Sequence, residues 1–264
     1  MPADYGRAEL ARAFIDVGMR RGDVVFSHGN VGFFGTPEGG MSRQNTFQTA
    51  LGAFREALGP EGTLAVPTFT YSFCKGEPFD PDHTPSPCGM FTEMVRMMPE
   101  ARRSADPIFS VAVVGPKARA LTDDPPEYCF APESFWGRLL AEDGLICNLN
   151  FDAGSTFIHY VESELKVPYR FRKMFEGTLV RGGRGVPARA GHYCRDLDTP
   201  GAYPMFELFD QIARRRGLAR SARVGRGAVV AIRARATYDL IKEEIVHIPD
   251  LLTEAARPKL TAAG

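Results

Sequence analysis

The chain has 264 residues, of which 44% are apolar and 24% charged, the proportions of a globular protein able to bury a sizeable core. Its 32 Lys and Arg balance 32 Asp and Glu, so no whole-molecule field draws it to nucleic acid, an anionic membrane or a cationic small molecule; a charged ligand has to be met by local groups. No apolar run approaches the roughly 18–20 residues that span a bilayer. The polar, amphipathic start MPADYGRAELARAF lacks the apolar centre of a signal peptide, so the expected location is the cytoplasm. The five cysteines, Cys74, Cys88, Cys129, Cys147 and Cys194, are odd in number and contain no CxxC pair; they read as reduced thiols, not as a disulfide framework or zinc knuckle.

Leu10, Phe14 and Val17 predict a helix over 7–20. A buried strand at 24–28 (VVFSH) follows, then a glycine-rich loop to Gly40. Phe47, Leu51, Phe54 and Leu58 form one apolar stripe of a second helix, which Gly59-Pro60 stops. TLAVPTF (63–69) reads as a strand ending near Pro67. A proline-rich loop covers 71–88, with Ser86-Pro87 as cap and first position of a helix through Met94 and Met98. Further strands are expected at 108–115 and 145–151, and helices at 134–143 and 156–165. Beyond 170 the pattern changes to a hairpin over 171–195 around Gly182, Gly183 and Gly185, a helix over 203–217, a strand over 228–234 and a helix over 237–245. Alternating strands and short-linked helices indicate a layered α/β sheet. Neither glycine cluster, at 182–185 or 225–227, lies between a first strand and a helix as a dinucleotide fingerprint requires.

The stretch Asn150–Glu162 carries the most chemistry. A strand ends, the chain turns through small polar residues, and a helix begins, which is where open α/β sheets place ligands. His159 and Glu162 are three apart and share a helix face, so the carboxylate can hold the imidazole; Asp152 and Ser155 are placed to cap the helix. Acyl transfer to an amine needs a base to take the ammonium proton and donors for the oxyanion, and a His/Glu pair near a helix start offers both. Spacing alone leaves open a core histidine with one satisfied nitrogen.

Five segments together resemble the aminoglycoside 3-N-acetyltransferase family: GDVVFSHGNVGFFG (22–35), GTLAVPTFTYSF (62–73), FDPDHTPSPCGMFTEMVR (79–96), RRSADPIFSVAVVG (102–115) and NFDAGSTFIHYVE (150–162). Each is modest alone; their order and spacing make the resemblance specific. It implies one acyltransferase domain over 1–264, a three-layer α/β/α fold with a mixed central sheet and a smaller C-terminal β/α elaboration. It also implies direct transfer of an acetyl or other short acyl group from acetyl-CoA to an amine, with no metal. By the same resemblance His159 and Glu162 are catalytic, and His28, Gly29, Asn30, Thr68, Ser104 and Ser110 line the donor cleft. Asp80, Asp82, Phe109 and Asp152 are candidates to meet the acceptor. The implied partners are acyl-CoA and a small-molecule amine, with neither nucleic acid nor membrane; self-association into a homo-oligomer is left open.

Two departures stand out. Gly29 and Asn30 replace the usual two serines, removing a hydroxyl while giving the backbone room to approach a ligand. Phe109 stands where drug-modifying members commonly show histidine. SHGNVGFFG and DPIFS are closer to members of amino-sugar assembly, which points to a biosynthetic amino-sugar acceptor over an antibiotic.

Lys75, Arg102 and Arg103 read as a solvated face, with CoA phosphate binding as the alternative; Glu93 and His83 read as surface groups. Two other enzymes use the same residue types. A metal hydrolase on His28, His83, His159 or His192 lacks HExxH or related ligand spacing. A cysteine-nucleophile acyltransferase would use Cys74 or Cys194 with a histidine and show ping-pong kinetics. A non-catalytic binding module would keep the fold and tolerate loss of His159.

Overall fold

A computed structural model describes residues 2–260; Met1 and 261–264, the ends of the expected 1–264 domain, lie outside the described residues. Among the described residues nine strands form two sheets. The larger has the order β3-β4-β2-β1-β5-β9-β8, built from β1 (Val24–Gly29), β2 (Thr63–Pro67), β3 (Arg102–Arg103), β4 (Val111–Val114), β5 (Leu145–Leu149), β8 (Arg220–Val224) and β9 (Gly227–Arg233). β1 runs parallel to β2 and β5, and the remaining neighbours pair antiparallel, so the sheet is mixed.

Alternation along the strands makes the layers. Val25, Leu145, Cys147, Val229 and Ala231 face one core, where α1 (Arg7–Asp16), α2 (Arg43–Leu58) and α3 (Met90–Arg96) pack through Leu10, Phe14, Phe47, Phe54 and Phe91. Val24, Phe26, Ile146, Val230 and Ile232 face the other. There they meet α4 (Ala118–Thr122), α5 (Phe135–Ala141), α6 (Phe157–Leu165), α7 (Glu207–Arg215) and α8 (Ala234–Glu244). A short α9 (Arg257–Leu260) ends the described chain. Strands apolar on both sides are what a sheet covered on both faces requires, which is the expected three-layer α/β arrangement.

The second sheet is a hairpin of β6 (Arg170–Arg181) and β7 (Arg184–Arg195). Gly182 and Gly183 have φ of 55° and 74°, the two positive values a two-residue hairpin turn demands. The hairpin joins the body through bridges from Phe79 to Leu179 and from Tyr128 to Gly191.

Local chemistry moved several boundaries. The helix expected from Ser86 begins at Met90, because Ser86 Oγ accepts from Cys88 N at 3.2 Å and Glu93 Oε2 accepts from Ser86 N at 3.0 Å, closing a turn ahead of it. The strand expected from 108 begins at Val111. Asp106 Oδ1 accepts the backbone N–H groups of Ile108 and Phe109 at 2.8 and 2.9 Å, an Asx-type turn that competes with strand pairing. The sequence patterns also left out β3, β8 and α4. Among the described residues no helix is long and apolar enough to cross a membrane.

Candidate active site

The parallel strands β2, β1 and β5 end together, and their following loops surround a cavity of about 590 Å³. His28, Gly29 and Asn30 line it from the end of β1, Pro67 and Phe69 from the end of β2 and the loop after it, and Asn150, Phe151 and Thr156 from the turn between β5 and α6. The turn has a definite cause. Asn148 is fully buried in β5, and its Nδ2 donates to the carbonyls of Asp152 and Gly154 at 2.5 and 2.8 Å. A lone amide in the apolar run LICNL was the sequence signal for this role. Ser155 and Asp152 do not cap α6 as expected. Its first flanking residue is Thr156, with no side-chain cap. Asp152 Oδ1 accepts from Gly154 N at 2.7 Å, and Ser155 Oγ is buried without a partner in the protein.

Four buried polar atoms at these strand ends and the α6 turn are unpartnered: Ser27 Oγ, His28 Nε2, Asn148 Oδ1 and Ser155 Oγ. Such groups are rare away from ligand or water sites. Burial pushes His28 down to about 4, against a hydrogen bond with the Gly154 backbone, so its ring is neutral near pH 7. The room expected beside Gly29 is filled by the protein: a Cβ there would strike the Leu149 carbonyl. On its Cβ side the residue serves the β1–β5 contact, while it still lines the cavity.

One turn into α6, His159 Nδ1 lies 2.6 Å from Glu162 Oε2. The ring sits beside Phe130 and Phe206, with 18% of its side chain exposed, while Glu162 has none. His159 is not among the residues lining the cavity, although Thr156, the residue that flanks the start of α6, is. A third member was not foreseen. Arg170 Nε, at the start of β6, is 2.8 Å from the same Oε2, with 5% of its side chain exposed. Burial lowers the His159 pKa, with Glu162 opposing and Arg170 adding to the shift. Burial pushes the Glu162 carboxyl up, but the His159 ring and the Arg170 guanidinium outweigh it and hold the group below its ordinary value. The result is a free imidazole backed by a buried carboxylate, an arrangement able to take a proton from an amine.

The other expected cleft residues lie apart from the cavity lining. Thr68 and Ser110 are fully buried and share hydroxyl contacts at 3.1 Å. Both receive Arg103 Nε at 3.2 Å, and Arg103 also donates to the Thr68 carbonyl at 2.7 Å. Ser104 Oγ accepts from Val111 N at 3.1 Å. Arg103 is thus an internal cross-link, neither a solvated face nor a free phosphate ligand. Lys75 Nζ donates to the Thr70 carbonyl at 3.0 Å, and Arg102 pairs with Asp123 at 2.6 Å. Asp80 holds its own loop and His83 Nδ1 at 2.9 Å, Asp82 is exposed, and Glu93 grips Arg96 at 2.7 Å.

Phe109 sits in an aromatic cluster with Phe69, Tyr71, Phe130 and His192, at centroid distances of 5.0–5.3 Å. His192 also meets Cys194 Sγ at 3.3 Å and Cys74 Sγ at 3.9 Å through Nε2. This is a thiol–imidazole contact, but its electrostatics oppose a nucleophile. Burial pushes Cys74 up to about 11 and raises Cys194, and burial with the nearby His159 and Arg170 pushes His192 down to about 4. The thiol is held on and the base is weak, the reverse of an activated pair. Among the described residues no three or more His, Cys, Asp or Glu side chains gather so as to hold a metal ion.

Known proteins share both the sequence pattern and the architecture. A family model described as aminoglycoside 3-N-acetyltransferase matches residues 29–245. Aminoglycoside N(3)-acetyltransferase IV of Salmonella sp is 29% identical over 240 residues, covering 89% of this chain and 85% of that protein. Aminoglycoside N(3)-acetyltransferase VIII of Streptomyces fradiae is 27% identical, with 95% and 94% covered. The structure of AAC-VIa bound to sisomicin superposes with a TM-score of 0.75 at 26% identity, over 91% of this chain and 97% of that one. The match runs from the end of β1 to the foot of α8, and with it the chain belongs to the aminoglycoside 3-N-acetyltransferase family, a family of N-acetyltransferases.

Proposed function

We propose that this protein transfers an acetyl group from acetyl-CoA directly to an amine of an amino sugar, with His159 as general base and Glu162 orienting the ring. The observation that carries the reading is the buried His159–Glu162 pair at 2.6 Å, three residues beyond Thr156, which lines the strand-end cavity. An alkyl ammonium cannot attack a thioester until it loses a proton. Once that proton has gone to solvent, a neutral imidazole whose other nitrogen is held by a carboxylate takes a second proton from the attacking nitrogen as the C–N bond forms. The tetrahedral intermediate then collapses, the thiolate leaves, and the proton on His159 is available to it. The cavity lined by His28, Gly29 and Asn30 takes the pantetheine arm in this reading, and both substrates meet in the cytoplasm. The name of the Salmonella relative supports acetyl as the group moved. The phenylalanine at 109, where drug-modifying members commonly show histidine, and the SHGNVGFFG and DPIFS segments favour a biosynthetic amino sugar over a polycationic antibiotic.

The test is thiol release from acetyl-CoA with a panel of aminoglycosides and nucleotide-linked amino sugars, for wild type and His159→Ala. The substitution is expected to lower kcat by about 10²–10⁴-fold and to leave CoA affinity by calorimetry nearly intact. Near-wild-type turnover in His159→Ala would refute the base, and ping-pong kinetics with a trapped acyl-cysteine would move the chemistry to Cys74 or Cys194.

A further inference from the structure

We propose that Arg170 is a positioning residue for this transfer: its guanidinium balances the buried Glu162 carboxylate, so that Glu162 can orient the His159 ring without holding a proton on it. The inference rests on the general-base reading of His159 and extends it to a residue outside α6.

The argument is one of buried charge. Glu162 Oε2 is shared, with His159 Nδ1 at 2.6 Å on one side and Arg170 Nε at 2.8 Å on the other. The carboxylate is fully buried and the guanidinium nearly so. A carboxylate alone with an imidazole in such a place favours imidazolium, because the ion pair is the state with no net charge, and an imidazolium is no base. Adding Arg170 changes which state is neutral. Guanidinium, carboxylate and free imidazole now sum to zero, and protonating His159 leaves an extra buried positive charge, which the interior disfavours strongly.

The surrounding groups do not take over this role. Tyr169 and Tyr193 face Glu162, and burial raises both hydroxyls further above neutrality. His192 faces His159 from β7, and burial keeps it neutral. Arg170 is therefore the cation that faces the pair. It is tethered by Nη1 donating to the Tyr193 carbonyl at 3.2 Å, which fixes the guanidinium to the hairpin. Arg170 Nε and Nη2 and Glu162 Oε1 are each buried without a hydrogen-bond partner, so the 2.8 Å contact acts as an ion pair, charge facing charge.

The experiment is the pH profile of kcat/KM for wild type, Arg170→Gln and Arg170→Lys with acetyl-CoA and an accepted amine. Activity requires unprotonated His159, so it is lost as pH falls through that group's pKa. Arg170→Gln is expected to move this acid limb upward by about 1–3 pH units, the usual effect of removing a charge at such a distance, and Arg170→Lys is expected to restore it. A limb that stays in place while activity drops equally at every pH overturns the proposal, since a packing role alone predicts that result.

Titration of the His159 ring by NMR in histidine-labelled protein, assigned with His159→Ala, reads the same shift without turnover. Should wild type acetylate no amine, the functional reading fails, while the titration still decides the charge role of Arg170. Where Arg170→Gln does not fold, Glu162→Gln is compared with the Glu162→Gln, Arg170→Gln double variant. The ring is expected to titrate higher in the double variant, and identical titrations overturn the proposal.

Discussion

Glu162→Gln perturbs this site with the least change of shape. It replaces a fully buried carboxylate held between a ring nitrogen at 2.6 Å and a guanidinium at 2.8 Å. Two consequences follow from the geometry. The amide cannot balance Arg170, and breaking a buried pair in this way costs about 3–5 kcal/mol, a large part of the roughly 5–15 kcal/mol that holds a domain folded. At about 2–4 °C per kcal/mol for a chain near this size, the midpoint of thermal unfolding should fall by about 6–20 °C. The amide oxygen can still accept from His159 Nδ1–H, so orientation partly survives and kcat should fall less than in His159→Ala, by about 10–10²-fold. The carboxylate also favours imidazolium, so its loss should move the acid limb of kcat/KM to lower pH, opposite to the shift expected for Arg170→Gln. Thermal melts and thiol release from acetyl-CoA between about pH 5 and 9 read both effects. An unchanged midpoint together with an unchanged pH profile would refute the buried, charge-balanced carboxylate on which the mechanism stands.

Restoring the family's serine at Gly29 should destabilise the protein, because the backbone there has φ of 123° and the added Cβ meets the Leu149 carbonyl; a cost of about 1–3 kcal/mol is expected, and a Gly29→Ser variant with a wild-type melting midpoint would count against it. Acid stability should follow the buried histidines. His28 and His192 are each held down to about 4 by burial, below the roughly 6.5 of an unfolded histidine. The unfolded chain therefore binds more protons between those values. Stability is complete above pH 6.5 and falls as pH drops toward 4, by about 2 kcal/mol per histidine between pH 7 and 5. Urea unfolding at the two pH values, in wild type and His192→Asn, should show a smaller loss in the variant; equal losses would sink the assignment.

The sequence by itself determined what depends on neighbours along the chain. Strand alternation in VVFSH and LICNL, the Phe47–Leu58 stripe and the glycines of the 182–183 turn fix local conformation within a few residues, and α6 with its His159–Glu162 pair follows from the three-residue spacing. Local competition was harder to read. The Asp106 carboxylate that bends 106–109 out of the strand, and the Ser86 turn ahead of α3, each set one side-chain hydrogen bond against a regular element, and pattern alone does not rank the two. Tertiary structure alone decided what depends on partners distant in sequence. Thr68 and Ser110 face Arg103 inside the fold instead of lining the cavity, and the Gly29 position is filled by β5. Arg170, the first residue of β6, meets Glu162 because the chain turns back after α6 at Lys166, which is in the left-handed region. Whether a carboxylate orients a base or keeps it protonated is set by the net charge buried around it, and that sum is taken over space, not over sequence.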